Sequence, residues 1–349
     1  MSDPLVLVDA DVLGRQRTGD ETYVRNLLAE LAGAEGLRLA AVTRRPELVP
    51  DGIEPVELSA RSQVLRMAVG MPRLLRRLRP AVAHFQHSLP LSCPCPAVVT
   101  VHDLSFEREP AMMGLRDRFI FRTVVPRSAR LAARVLAVSE LTKRDLIELY
   151  GIPDGKIVVT PNGVDPAFTP EGPSPNGEPY ALFVGALQPR KDARVAIEAL
   201  ALLGEGAPKL VVVGKDQGGR GEAERAAAQN GLAGRVEFRG HVTQEELASL
   251  YRGAACLVFP SRYEGFGLPV VEAMASGTPV VATRAGALPE VAGDAAILVD
   301  DRNAVAFAGG IERAIADRER LVAAGLERAR RFTWAETARL TLETYRSLL

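Results

Sequence analysis

The chain has 349 residues, 47% hydrophobic and 25% charged, the proportions of a globular protein with room for two α/β domains. Its 43 Lys and Arg balance 43 Asp and Glu, which excludes the basic excess of a general nucleic-acid binder. Cys93-Pro94-Cys95 and Cys256 lack the spacing of a paired metal motif and fit a reduced cytoplasmic compartment, and no apolar run reaches membrane-spanning length.

Leu5 to Val8 predicts a first buried strand, followed by a polar loop, Asp9 to Gly19, and a helix with Val24, Leu27, Leu28 and Leu31 at helical spacing. The loop Gly14-Arg15-Gln16-Arg17-Thr18-Gly19 lies where open α/β sheets bind ligands, but it lacks the Gly-x-Gly-x-x-Gly spacing of a dinucleotide fingerprint. A plain turn explains its glycines equally well. Between Glu57 and Asp103 there is no acidic residue, while Arg61, Arg66, Arg73, Arg76, Arg77 and Arg79 accumulate around Leu74, Leu75 and Leu78. That segment predicts an amphipathic basic helix, either a solvated face over the first sheet or a contact for an anionic membrane.

Ala81 to Phe85 and Ala97 to Val101 predict further parallel strands, the second delivering His102-Asp103 to its carboxyl end, a position suited to chemistry. His84 and His87 are expected to be structural or lining residues. After a helix from Leu115 to Ala133 and a strand at Val135 to Val138, Ser139 and Thr142 open the next helix as cap or ligand contact. Pro161-Asn162-Gly163-Val164-Asp165 reads as a turn, and Pro166 to Pro179, rich in Pro and Gly, as a linker. The predicted domains are therefore 1–165 and 180–330, joined by the linker 166–179, with a terminal helical segment 331–349 either crossing back onto the first domain or packing on the second.

Beyond the linker, strand–helix alternation restarts at Tyr180 to Val184. Gly185 and then Arg190-Lys191 follow that strand. Adjacent cations at a helix start are disfavoured by the helix dipole, so a diphosphate ligand explains them better than solvent does. The strand Cys256 to Phe259 leads into Ser261-Arg262-Tyr263-Glu264-Gly265-Phe266-Gly267-Leu268-Pro269-Val270-Val271-Glu272, then Ala275-Ser276-Gly277-Thr278-Pro279-Val280-Val281. The order is strand, glycine loop, short helix, strand. Gly265 and Gly267 permit close backbone approach, and a helix opening at Pro269 aims unpaired N–H groups at the loop, an anion site. Glu264 in the loop and Glu272 in the first helical turn are acceptors for sugar or ribose hydroxyls.

These segments, with His102-Asp103-Leu104, Val138-Ser139-Glu140-x-Thr142, Pro161 to Asp165 and Val184 to Asp192, resemble the retaining glycosyltransferases of family 4. The resemblance covers nearly the whole chain in the expected order. It implies the GT-B fold, two doubly wound Rossmann-like α/β domains facing each other across a cleft. It further implies that His102 lies by the donor sugar, that Arg190 and Lys191 stabilise the departing diphosphate, and that Glu264 with the backbone of Phe266, Gly267 and Leu268 holds the sugar. Glu272 would take the ribose hydroxyls, Val242 would border the base, and Gly19 and Gly185 would approach the donor phosphates.

The expected function is transfer of a hexose from a nucleoside diphosphate sugar to a glycan or lipid-linked hydroxyl. No cofactor and no metal is expected, since the recognised motif segments carry no Asp-x-Asp pair. Arg190-Lys191-Asp192 and His102-Asp103-Leu104 resemble bacterial mannosyltransferase members, which makes GDP-mannose the expected donor, ahead of a UDP-hexose. A GT-B epimerase and a catalytically silent sugar-nucleotide-binding protein are the rival readings. The location expected is cytoplasmic, with any membrane contact peripheral, at the inner face.

Overall fold

In the computed structural model, residues 3–15, 18–175, 177–300 and 302–349 are described. Gln16 and Arg17 of the first loop lie outside them. The chain divides into two compact units, Met1–Gly163 with Thr333–Leu349, and Val164–Phe332.

The first unit holds a seven-stranded sheet. Its strands are β1 (Leu5–Asp9), β2 (Arg38–Thr43), β3 (Glu54–Glu57), β4 (Val82–Gln86), β5 (Ala97–Val101), β6 (Arg134–Ala137) and β7 (Ile157–Val159), in the order β3-β2-β1-β4-β5-β6-β7. Every pairing is parallel. The apolar runs of β1, β4 and β5 become buried strands because the sheet is covered on both faces, which removes any need for polar alternation. The order reverses between β1 and β4, the switch point at which such sheets open a crevice. The β1 loop leads into the Thr18–Leu31 helix. Gly19 is therefore helical, not part of a turn, and a Cβ built on it meets no atom within 4 Å.

Two expectations for this unit are corrected. The basic segment is not one helix: a helical turn at Gln63–Leu65 runs into a π-helical stretch, Arg66–Gly70, and then the Met71–Leu78 helix. Arg66 leaves the basic face altogether. It is fully buried, its guanidinium donating to Asp9 Oδ1 at 2.6 Å and Oδ2 at 3.0 Å, because a buried cation requires a paired carboxylate. Arg73, Arg76, Arg77 and Arg79 stay exposed while Leu74 and Leu75 are buried. Ser139 is a cap, its Oγ accepting from the Thr142 N–H at 3.1 Å.

The Trp334–Arg346 helix packs into this unit. Leu340, Leu342 and Leu348 are only half-buried, and Trp334, Thr337, Ala338, Thr341, Thr344 and Tyr345 are the buried residues. Thr341 donates to the Thr337 carbonyl at 2.7 Å and Thr344 to the Leu340 carbonyl at 2.8 Å, while Thr337 donates to the Pro161 carbonyl at 2.5 Å, so all three enter the core with their hydroxyls satisfied. Tyr345 Oη lies 2.6 Å from His84 Nδ1, and His84 Nε2 lies 2.7 Å from Thr100 Oγ1. His84 is thus structural, and burial lowers its pKa to about 3.

The second unit repeats the plan with six parallel strands: β8 (Tyr180–Val184), β9 (Lys209–Val213), β10 (Val236–Gly240), β11 (Cys256–Phe259), β12 (Val280–Thr283) and β13 (Ile297–Val299), ordered β10-β9-β8-β11-β12-β13. Its core joins Phe183, Ile197, Leu210, Val258, Phe307 and Ile311. The order reverses between β8 and β11.

Candidate active site

The loops after β8 and β11 meet at that switch point. After β8, Gly185 takes φ +151°, and the chain makes a short 3₁₀ turn, Pro189–Lys191, ending at Asp192 in the left-handed conformation. Asp192 is held by Arg262 of the β11 loop at 2.8 Å, so the two loops are tied beside the cations they carry.

Lys191 is buried and its Nζ donates to Glu264 Oε1 at 2.5 Å, with Phe259 beneath the ammonium at 5.0 Å. Arg190 approaches the same oxygen at 3.3 Å and donates to the Tyr263 carbonyl. Ser261 Oγ also donates to Glu264 Oε1. Burial would raise the Glu264 pKa, but Lys191 and Arg190 outweigh it and hold the carboxyl below its usual range. Two cations are therefore fixed around one carboxylate, a preordered pair for which an anionic ligand would compete with Glu264.

The glycines set this geometry. Gly286, at φ +59°, would place a Cβ 2.5 Å from the Glu264 carbonyl oxygen, and the Ala287 N–H donates to that oxygen at 2.9 Å. Gly267, at φ +98°, precedes the Leu268–Ala275 helix. Because the helix begins at Leu268, Glu272 falls just beyond its first turn, a correction of one residue. Phe266 is buried edge-on against Phe332 at 5.4 Å, so its ring is committed to packing. Glu272 is half-buried and accepts from Tyr251 Oη at 2.9 Å. Burial, aided by Asp165 against the Tyr251 hydrogen bond, raises its pKa to about 7. Val242 is half-buried between β10 and the Gln244–Gly253 helix.

In the first unit, His102 follows β5, half-buried, with Nε2 2.8 Å from Gln86 Oε1. Its ring stands edge-on to Tyr23 at 4.8 Å and lies 4.9 Å from the His87 ring. Burial lowers its pKa to about 4, which keeps it neutral at physiological pH.

Arg190, Lys191, Glu264, Gly185, Phe266, Gly267, Leu268, Glu272 and Val242 thus belong to the second unit, and His102 and Gly19 to the first. Sequence reasoning missed Ser261, Gly286, Tyr251 and the Asp192–Arg262 tie. Gly286 carried no signal, since only the folded loop reveals what it touches. Asp192 and Arg262 lie in the two recognised motifs, and their opposite charges were the clue.

Residues 165–332 match the Glycosyl transferases group 1 family, and residues 17–168 match Glycosyltransferase Family 4. The O-antigen chain mannosyltransferase B of Escherichia coli is 30% identical over 269 residues, 72% of this chain and 70% of that one. The D-inositol 3-phosphate glycosyltransferase of Acidothermus cellulolyticus is 34% identical over 279 residues, and this chain spans 62% of its length. Among solved structures, the sucrose-phosphate synthase of Thermosynechococcus elongatus superposes with a TM-score of 0.82 at 23% identity, over 99% of each chain. Anabaena HepE, solved in complex with UDP and glucose, gives 0.77 at 17% identity over 99% of this chain and 100% of that one; both structures share its fold. The strand order, the spacing of the motifs and a relative matched over most of its length agree: the chain belongs to the family 4 glycosyltransferases of the GT-B fold.

Proposed function

We propose that this glycosyltransferase is a retaining hexosyltransferase that moves mannose from GDP-mannose to a hydroxyl of a glycan or lipid-linked glycan. The observation that carries the reading is the pair Arg190 and Lys191 fixed around Glu264 at the switch point of the second unit. A departing diphosphate develops charge as the glycosidic bond breaks, and preordered cations stabilise that charge more than they stabilise the intact donor. The protein supplies this stabilisation through side chains, so the reaction is expected to run without a metal. A front-face substitution, in which a diphosphate oxygen takes the acceptor proton, requires no protein nucleophile and yields retention, in contrast to the carboxylate pair of a retaining glycosidase.

Glu264 and the backbone of Phe266, Gly267 and Leu268 hold the sugar, Glu272 the ribose hydroxyls, and Val242 borders the base. Gly185 gives the phosphates room, and Gly19, whose missing Cβ no protein atom requires, does the same from the first unit. His102, neutral and acting as hydrogen-bond partner, serves the sugar. Mannose is favoured by the resemblance of the Arg190 and His102 motifs to bacterial mannosyltransferases and by the name of the Escherichia coli relative.

The test is thermal stabilisation and donor hydrolysis with GDP-mannose, UDP-glucose, UDP-N-acetylglucosamine and ADP-glucose, with a chelator present. A ligand that binds only the folded state raises its stability by mass action, so GDP-mannose alone should stand apart. Preference for a UDP-hexose would replace the donor, and silence towards all four would favour a binding protein without turnover. Anomeric analysis of the product by NMR decides retention.

Arg73, Arg76, Arg77 and Arg79, beside Val64 at 75% and Leu65 at 51% exposure, are proposed to rest on an anionic membrane surface, near a lipid-linked acceptor. No described helix is long and apolar enough to cross a membrane. The double variant R76E/R77E should lose sedimentation with phosphatidylglycerol vesicles; equal sedimentation of wild type and variant would reject the contact.

A further inference from the structure

The connection from β4 to β5, residues 87–96, runs from the carboxyl end of the sheet back to its amino end without a helix. Its last residues include Cys93-Pro94-Cys95. The Pro96 carbonyl accepts from the Ala83 N–H at 3.0 Å, which fixes the pair beside the starts of β4 and β5, away from the crevice at the carboxyl ends. We propose that Cys93 and Cys95 form a redox-active dithiol that a low-molecular-weight disulfide converts reversibly to an internal disulfide. Neither thiol has a role in the sugar-transfer reading.

The two sulfurs lie 3.7 Å apart, already in contact. Both residues are half-buried while Ser92, Pro94 and Pro96 are exposed, so a small disulfide reaches the thiols from solvent. Pro94 fixes φ between them. Upstream, the Leu89 N–H donates to Ser128 Oγ at 2.9 Å and the Leu91 N–H to the Met67 carbonyl at 3.0 Å, so the connection is anchored on both sides of the pair. Each thiol therefore meets the other at an effective concentration that no free thiol matches. Cys256 is the contrast: it is fully buried, and burial pushes its pKa up to about 12, which leaves it inert.

In the neutral pair, the Cys93 thiol donates to the Cys95 carbonyl oxygen at 3.4 Å. Once Cys93 ionises, the Cys95 thiol donates to it, and that hydrogen bond lowers the Cys93 pKa to about 7 while raising that of Cys95. The thiolate is the nucleophile. Cys93 attacks one sulfur of a disulfide RSSR, forming a mixed disulfide with one R–S group and releasing the other as thiolate. With the charge on Cys93 gone, Cys95 gives up its proton and attacks the Cys93 sulfur, whose bond to the R–S group breaks. Two electrons and two protons pass from the dithiol to RSSR, which departs as two thiols.

The experiment treats reduced full-length protein with glutathione disulfide at neutral pH, quenches with acid, alkylates the remaining thiols in denaturant and reads intact and peptide masses. Expected on the wild type is loss of two hydrogens with no glutathione retained, a link within the peptide that holds Cys93 and Cys95, alkylation at Cys256 alone, and reversal by dithiothreitol. C95S should retain one glutathione at Cys93, because the resolving thiol is gone, and C93S should react about tenfold or more slowly. Circular dichroism verifies the fold of both variants, and the wild-type masses decide the link without them. A glutathione adduct that persists on the wild type, free thiols at both positions after treatment, or C93S reacting as fast as C95S would overturn the dithiol.

Discussion

Glu264 accepts from a lysine and a serine on one oxygen, with an arginine close by, so its carboxylate neutralises two cations that, in the proposed reaction, exchange it for the departing diphosphate. Replacing Lys191 by Met removes one cation from that exchange. It should lower kcat by about 100-fold or more, in the range seen when one stabilising group is lost, and steady-state kinetics on purified variant checks it. Gly286→Ala acts on the same carboxylate from behind, since its Cβ would meet both the oxygen and the nitrogen of the Glu264 backbone at 2.5 and 2.6 Å. The expected result is a raised donor KM with a modest fall in melting temperature, and wild-type kinetics would show that the loop does not depend on it. Glu272 titrates at about 7 rather than its ordinary 4.5. A raised carboxyl pKa means that the neutral form is favoured in the fold, a contribution present below the ordinary value and lost as pH rises through 7. The ionised form is the better acceptor for ribose hydroxyls, so donor KM should fall as pH rises from 6 to 8, and Glu272→Gln should flatten that profile.

Among the elements, β5, β8 and β11 were readable to the residue because each is a short run rich in apolar and β-branched residues, followed at once by His102, Gly185 or Pro260. β2 and β3 went unread. β3, at the sheet edge, is Glu54-Pro55-Val56-Glu57, with a single apolar side chain to betray it. Arg66 was misplaced because its partner Asp9 is 57 residues away, and a charge pair at that separation leaves no periodic trace. The candidate site was legible where chemistry is local, in Arg190-Lys191 and Glu264 to Glu272, and illegible where it depends on loops meeting, as at Gly286. The terminal helix hid its inner face in threonines whose hydroxyls donate to carbonyls of that helix or, at Thr337, to that of Pro161. His84 at the end of that contact sets an acid limit: its folded pKa is about 3 against an ordinary 6.5, so stability is full above 6.5 and drains as pH falls towards 3, by at most about 1.4 kcal/mol per pH unit. Tyr345→Phe removes one of its two partners and should cost about 1–3 kcal/mol, measured by urea unfolding at pH 7.

For the whole molecule, each unit repeats one physical solution, a parallel sheet whose strand order reverses once, and each places its polar side chains at that reversal. Hydrogen exchange in saturating GDP should slow most at 185–191 and 260–272, where loops lacking regular ladders would be ordered by ligand; uniform protection would point to a different site. The first unit is interrupted: residues 1–163 need 333–349, and the second unit, 164–332, lies between them in the chain. On the ribosome the second unit therefore has all its residues before the first does. Until Thr333 to Leu349 emerge, Tyr23, His84 and the Pro161 carbonyl lack the helix they pack against, and β1 to β7 wait as an unfinished core. A chain stopped before Trp334 would carry all of the second unit together with a first unit that chaperones and proteases still see as unfolded.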